Sequence, residues 1–256
     1  MEPYIYLLIA ILGLVFGSFY ACMGYRIPNK ISTIAFGSFC PLCKTPLKWY
    51  MNIPVLSFIF LKGKCAYCKK PINYIYPFVE LSTSLLFLCN YIMFDFTLEF
   101  WIAMIVTGAL MVTIVSDFMY YYISDRVLLI SGLAFIIVRC IYMDLNDVYY
   151  YIISGVILFV MMLLVKWLGN KIFKRESLGD GDIKLMGIVG IGLGLINGLV
   201  SLAVGSLIGL VFSFAVIKKN KDGIIPFGPF ILIGALMTLY FYNLVGPLLE
   251  SLFKFV

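Results

Sequence analysis

Eight apolar runs, at about 4–25, 77–94, 98–116, 127–143, 148–168, 183–196, 199–217 and 227–249, occupy most of the sequence and leave it one kind of solvent in which to fold. A helix needs ~20 residues to cross a hydrocarbon core about 30 Å thick, and several of these runs approach that length. Lipid offers backbone polar groups no water, so each run must be helical. Composition agrees: 63% of the 256 residues are hydrophobic, 12% are charged and the mean hydropathy is +1.04, outside the range of soluble domains. The expected fold class is therefore all-α integral membrane, with about eight transmembrane helices. The first run has no basic residue ahead of it, and Arg26 follows it, so it reads as a retained span and not as a cleavable signal peptide.

Charge orients these spans. The long polar insert, residues 26–76, carries Arg26, Lys30, Lys44, Lys48, Lys62, Lys64, Lys69 and Lys70 and no acid. If it is cytoplasmic, Arg126, the stretch from Lys166 to Lys184, and Lys218, Lys219 and Lys221 fall on the same side, as the positive-inside rule requires. The other side receives Glu2, Asp95, Glu99, Asp144, Asp147 and Glu250, with Lys254 the basic residue expected there. Both termini are then expected outside. The net charge of +6 is accounted for by topology and by attraction to anionic lipid, and nucleic acid is not an expected partner. The 35 apolar residues from Ile183 to Ile217 would make a helix of about 52 Å, too long for one span, so a hairpin is predicted with its turn at Asn197-Gly198. Its first leg, of about 21 Å, should draw Asp182 below the membrane surface.

Cys40-Pro-Leu-Cys43 and Cys65-Ala-Tyr-Cys68 are two C-x-x-C pairs separated by 21 residues, the pattern of a tetrahedral four-thiolate site. A reducing cytoplasm argues against disulfides. A structural zinc knuckle is expected, because four thiolates leave the metal no open position for catalysis. Cys22, Cys89 and Cys140 lie in apolar runs and read as packing residues.

Histidine is absent. That excludes serine–histidine and cysteine–histidine nucleophile systems, H-E-x-x-H metalloproteases and imidazole proton shuttles. Carboxylates remain, and each one at membrane depth is costly enough to be a functional candidate. Glu80, Asp117, Asp125, Glu176, Asp180 and Asp182 lie near expected cytoplasmic ends of spans. Asp117 closes the third run and Asp182 opens the sixth, so the two are predicted at similar depth on different helices. Facing carboxylates resist ionising together, which lets one hold a proton while its partner activates water.

Here the residues resemble a known family, the bacterial prepilin peptidases, or type IV leader peptidases. Gly179-Asp180-Gly181-Asp182-Ile183-Lys184 is similar to their G-x-G-D-x-K motif, and Asp117 followed by Ile123-Ser124-Asp125 to their first catalytic element. Gly17-Ser18-Phe19, Tyr25-Arg26-Ile27-Pro28, Asn52-Ile53-Pro54-Val55-Leu56-Ser57, Tyr76-Pro77-Phe78-Val79-Glu80-Leu81 and Pro226-Phe227-Gly228-Pro229-Phe230 extend the likeness over most of the chain. Ser124 stands where the family usually has proline, Ala21 where it commonly has asparagine, and Ile75 where arginine often stands.

The resemblance implies a membrane aspartic endopeptidase. Asp117 and Asp182 would be catalytic, supported by a loop containing Gly179, Asp180, Gly181 and Lys184, and by Asp125. Its substrates would be type IV prepilins or pseudopilins with a short basic leader, cut at the inner face of the bacterial cytoplasmic membrane. It further implies N-methylation of the new N-terminus with S-adenosylmethionine, for which the sequence shows no Rossmann-type glycine turn. The domain organisation expected is a first transmembrane helix at 1–25, a cytoplasmic zinc-binding insert at 26–76 and a seven-helix catalytic membrane core at 77–256. Two other classes compete: a proton- or cation-coupled transporter using the same carboxylates, and an assembly module whose knuckle recruits a cytoplasmic partner. Ion flux lost on neutralising Asp182, without peptide cleavage, would mark the first. Partner binding lost with the cysteines alone would mark the second.

Overall fold

The computed structural model describes residues 3–33, 37–174, 177–217 and 226–253, with the side chains of all of these but 215–217 and 243–253. Of the residues used above for orientation or as candidate acids, Glu2, Glu176, Lys218, Lys219, Lys221 and Lys254 lie outside the described residues, as does the side chain of Glu250. Nine α-helices are found among the described residues, and no strand: α1 Pro3–Arg26, α2 Leu56–Phe60, α3 Ile75–Phe94, α4 Leu98–Tyr120, α5 Asp125–Tyr142, α6 Leu145–Phe173, α7 Asp180–Leu193, α8 Leu195–Ile217 and α9 Gly228–Phe253. All but the short α2 coincide with one of the eight apolar runs. Five of them, α1, α3, α4, α6 and α8, are long and apolar enough to cross a membrane. Their outward faces carry exposed Leu7, Leu8 and Ile11 on α1, Val156, Val160 and Leu164 on α6, and Leu207, Val211 and Phe214 on α8. Apolar surface on that scale is compatible with lipid and not with water.

The chain divides into two compact units, Met1–Ile92 and Met93–Val256. In the first, α1 and α3 run antiparallel with their backbones nearly touching. A Cβ on Gly13 would lie 2.5 Å from Ser84 Cα, and one on Gly17 would lie 2.7 Å from Glu80 Cα. Tyr6 meets Tyr91 and Phe16 meets Phe87 along the same seam, and the Ser84 hydroxyl donates to the Ala10 carbonyl. Small residues are what allow helices to approach this closely in lipid.

Between these helices the insert folds as two like knuckles. In each, the first cysteine's N–H closes on the carbonyl five residues on: Cys40 N to Thr45 O at 3.0 Å and Cys65 N to Lys70 O at 2.9 Å. A left-handed lysine follows each cysteine pair, Lys44 with φ 60 and Lys69 with φ 59. The isolated bridges Phe39–Pro46 and Lys64–Pro71 close the two turns. The underlying repeat, C-P-L-C-K-T-P and C-A-Y-C-K-K-P, is present in the sequence.

In the second unit α7 is a short, largely buried leg packed on α6, α5, α8 and α9, and α4 packs on α9 and α5. The predicted hairpin exists, but its turn lies at Gly194 and not at Asn197-Gly198. Gly194 takes φ +83, and a Cβ there would lie 3.2 Å from the rings of Tyr150 and Tyr151, so the backbone reversal goes where only glycine fits. Asn197 and Gly198 continue as α8. Arg139 is assigned to neither side by the charge reading. It is buried near the far end of α5, donates through Nη2 to the carbonyl of Gly192 and lies over the Tyr151 ring. A cation thus closes the carbonyl end of α7, where the helix dipole favours it, at the end away from Asp182.

Candidate active site

Asp117 stands in the last turn of α4, which ends at Tyr121 in a left-handed cap whose N–H donates to the Asp117 carbonyl at 2.9 Å. Its side chain is buried, and its carboxylate accepts the backbone N–H of Gly228, the first residue of α9. Pro229, next in line, suits the first turn of a helix because the N–H it lacks would have no intrahelical partner. The Pro226-Phe227-Gly228-Pro229-Phe230 motif therefore sets a helix N-terminus, with its positive dipole end, against Asp117. Gly228 must lack a side chain, since a Cβ there would lie 2.7 Å from Ile123 Cδ1 and 3.3 Å from Asp117 Oδ2.

Asp182 comes from α7. The expected glycine-flanked loop is instead a helix start: Gly179 is the extended N-cap, and Asp180, Gly181 and Asp182 form the first turn. Acidic residues in a first turn face the positive end of the dipole, which explains why the chain is helical from Asp180 and not from Ile183. A Cβ on Gly181 would lie 2.8 Å from Ile123 Cβ. Ile123 thus touches both glycines that flank the aspartates. The two carboxyl groups lie close enough for the charge of Asp117 to act on Asp182. Asp182 Oδ1 is buried with no hydrogen-bond partner among the described residues. An orphaned buried carboxylate oxygen is costly.

The remaining candidate residues pair off around this centre. Lys184 forms an ion pair with Asp125 at 2.7 Å, linking α7 to the first turn of α5, and Lys166 of α6 pairs with Asp180 at 2.6 Å. Asp125 and Asp180 are exposed, so these pairs contribute little to stability. Their lysines are nonetheless turned to these outer carboxylates. Glu80 lies in the other unit, where it is buried and accepts the N–H of Val55 at 2.7 Å.

The four cysteines gather as the spacing predicted. The Sγ atoms of Cys40, Cys43, Cys65 and Cys68 all lie within 4.8 Å of one another, with Cys40 and Cys68 4.0 Å apart. Thiolates about 2.3 Å from a tetrahedral metal are separated by roughly 3.8 Å, so the set fits a metal ion. Hydrogen bonds from the Thr45 side chain and backbone hold the Cys43 thiol down at about 6, while burial pushes Cys40 up to about 11.

Comparison with known proteins divides the chain in the same way. Residues 11–94 match the bacterial peptidase A24 N-terminal domain, and residues 104–214 match the type IV leader peptidase family. A Bacillus subtilis protein named prepilin leader peptidase/N-methyltransferase is 32% identical over 91% of this chain and 92% of its own length. The chain belongs to the type IV leader peptidase family. A Legionella pneumophila family member of the same name is 29% identical over 93% of this chain and 91% of its own. An Escherichia coli member, named type 4 prepilin-like proteins leader peptide-processing enzyme, is 28% identical over 89% and 91%. No solved structure matches the chain significantly. Both aspartates fall within the leader peptidase match, and the four cysteines and Glu80 fall within the N-terminal one. The transporter reading finds no support in these relatives.

Proposed function

We propose that the chain is a membrane aspartic endopeptidase that removes the leader from type IV prepilins or pseudopilins and then N-methylates the new N-terminus. The observation that carries the reading is that Asp117 and Asp182, from two helices, lie within electrostatic reach of each other, Asp117 against the start of α9 and Asp182 in the first turn of α7, with neither in a salt bridge among the described residues. One aspartate, ionised, takes a proton from a water. The other, protonated, donates a hydrogen bond to the scissile carbonyl and then gives its proton to the leaving amine. The pair shares these roles as a unit. Gly181 and Gly228 make room for the Ile123 side chain beside the two aspartates, and Gly179 leaves Asp182 Oδ2 uncrowded.

The substrate's hydrophobic helix would lie in the bilayer and its basic leader in the cytoplasm, which requires the aspartates at the inner face and both termini outside. The charge distribution of the loops supports that orientation in the bacterial inner membrane. The cysteine knuckles would hold zinc as a structural ion. The relatives' names carry the methyltransferase activity, which takes its methyl group from S-adenosylmethionine.

Co-expression with a prepilin, followed by the mass of the product's N-terminus, tests both steps. Asp117→Asn and Asp182→Asn are each expected to abolish leader removal while the protein still reaches the membrane. Normal processing by either variant would remove the dyad from the mechanism.

A further inference from the structure

The insert carries apolar side chains on its outside. Between the two knuckles runs a segment without charge, residues 49–61, bounded by Lys48 and Lys62. Trp49 and Phe60 are 79% and 80% exposed, and Tyr50, Ile53, Leu56 and Ile59 are exposed with them. The Trp49–Asn52 turn packs on α2, so these side chains belong to one surface, and an apolar surface of this kind marks an interaction site. Its level along the neighbouring helices indicates what meets it. The Val55 N–H donates to the Glu80 carboxylate at 2.7 Å, and the Ser18 side chain hydrogen-bonds the same carboxylate. Ser18 lies roughly 12 Å inside α1 from its end at Arg26, and Glu80 about 7.5 Å inside α3 from its start at Ile75. Both helices are long and apolar enough to span a membrane, so a segment tied to them there lies below their ends. That depth is comparable with the ~5–10 Å to which an amphipathic segment sinks at the boundary of headgroups and acyl chains. The backbone suits such a level: the N–H groups of Ser57, Ile59 and Leu61 return to carbonyls within the segment, and Pro54 has none to satisfy. Val55, at φ 59, ψ −49, joins the two helical pieces. Lipid offers no acceptor for the N–H left over at that break, and Glu80 supplies one.

We propose that residues 48–62 are an interfacial anchor, with Trp49, Phe60 and their apolar neighbours set among the upper acyl carbons and Lys48 and Lys62 on the headgroups of anionic phospholipid. Indole and phenol rings favour this boundary, and the long lysine stems let the ammonium groups reach out to phosphate. Charge selects the partner. The insert, residues 26–76, holds eight cations and no acid, which anionic headgroups complement. A second copy of this chain would bring the same cations against them, and like charges suppress such a contact. The knuckles on either side, with Lys44, Lys64, Lys69 and Lys70 exposed, stay in water. The anchor does not depend on the peptidase chemistry proposed above.

The test is fluorescence quenching of Trp49. Full-length protein carrying Trp101→Phe and Trp167→Phe, which leave Trp49 as the one tryptophan, is placed in lipid nanodiscs. Lipid brominated high on the acyl chain is expected to remove most of the Trp49 emission, and dissolved acrylamide to remove little. Quenching by acrylamide and not by brominated lipid puts the segment in water and overturns the anchor. Resistance to both overturns it as well, because protein, a second copy or the remainder of this chain, then covers the surface. For the headgroups, bromine carried on phosphatidylglycerol is expected to quench more than the same fraction carried on phosphatidylcholine, and Lys48→Gln with Lys62→Gln to remove that difference. Equal quenching by the two lipids in the unaltered insert overturns the anionic pairing. Phe60→Trp, in a chain with Trp49→Phe added, repeats the measurement from the other end of the segment and decides the matter if the first reporter fails to fold.

Discussion

Asp117 sits where its own helix least favours a carboxylate, in the last turn of α4 at the negative end of the helix dipole. It is buried, and a second acid lies within electrostatic reach. The N–H of Gly228 offsets part of this cost, yet a neutral isostere would accept the same hydrogen bond. Asp117→Asn is therefore expected to raise the unfolding midpoint by a few degrees, corresponding to about 1 kcal/mol, in the same variant that loses cleavage. A lowered midpoint would mean that the carboxylate is there for stability. Gly181→Ala acts differently, by driving a Cβ against the branch point of Ile123. Ile123 cannot swing away without disturbing Gly228, so an ångström-scale shift of the dyad is expected to slow cleavage by about a hundredfold, measured as initial rates on a purified prepilin. Near-parental rates would show that the wedge is slack. The two aspartates were legible in the sequence because lipid makes a carboxylate conspicuous. Ile123 was not, because one more aliphatic residue in an apolar chain carries no contrast.

Element positions were legible for the same reason that element ends were not. Hydropathy reports where lipid demands a helix, and all eight runs became helices. Ends are set by local contacts that periodicity does not register, such as the Tyr150 and Tyr151 rings at Gly194, or the first-turn carboxylates that start α7 three residues ahead of the predicted run. Burial is similarly silent, so Arg139 counted as no feature of the far side until its contact with Gly192 appeared. Two backbones meet directly where α6 packs on α7: a Cβ on Gly190 would lie 2.7 Å from Gly155 Cα. Backbone faces backbone there, and neither can yield as a side chain would. Gly190→Ala is expected to cost about 1–3 kcal/mol by overpacking. On α8, Gly209→Ala meets the rings of Phe230 at 3.4 Å and Phe227 at 3.7 Å, both at ordinary contact distance, so better helix propensity should leave it neutral or more stable. Thermal unfolding of the two variants in one lipid composition separates the cases. Equal midpoints would show that the seam opens freely.

Over the whole molecule, two different sources of stability divide the chain. The long helices satisfy their own backbones and present apolar surface to lipid, so their persistence depends on the bilayer. The insert's knuckles have no such support: between Ile27 and Phe78 the buried described residues are Cys40 and Cys65, and no aliphatic side chain joins them. A segment of that size without a core needs a metal to hold it folded. Two matching knuckles that bring four thiols within 4.8 Å supply the site. One zinc per chain is therefore expected by elemental analysis of protein purified without chelator, and Cys40→Ser or Cys65→Ser is expected to lose it. Chelation should then make residues 30–75 sensitive to protease while the helical circular dichroism of the remainder barely changes, because the lipid-facing helices do not draw on the metal. Protease resistance that survives complete metal removal would require the insert to be stabilised by something other than its four sulfurs.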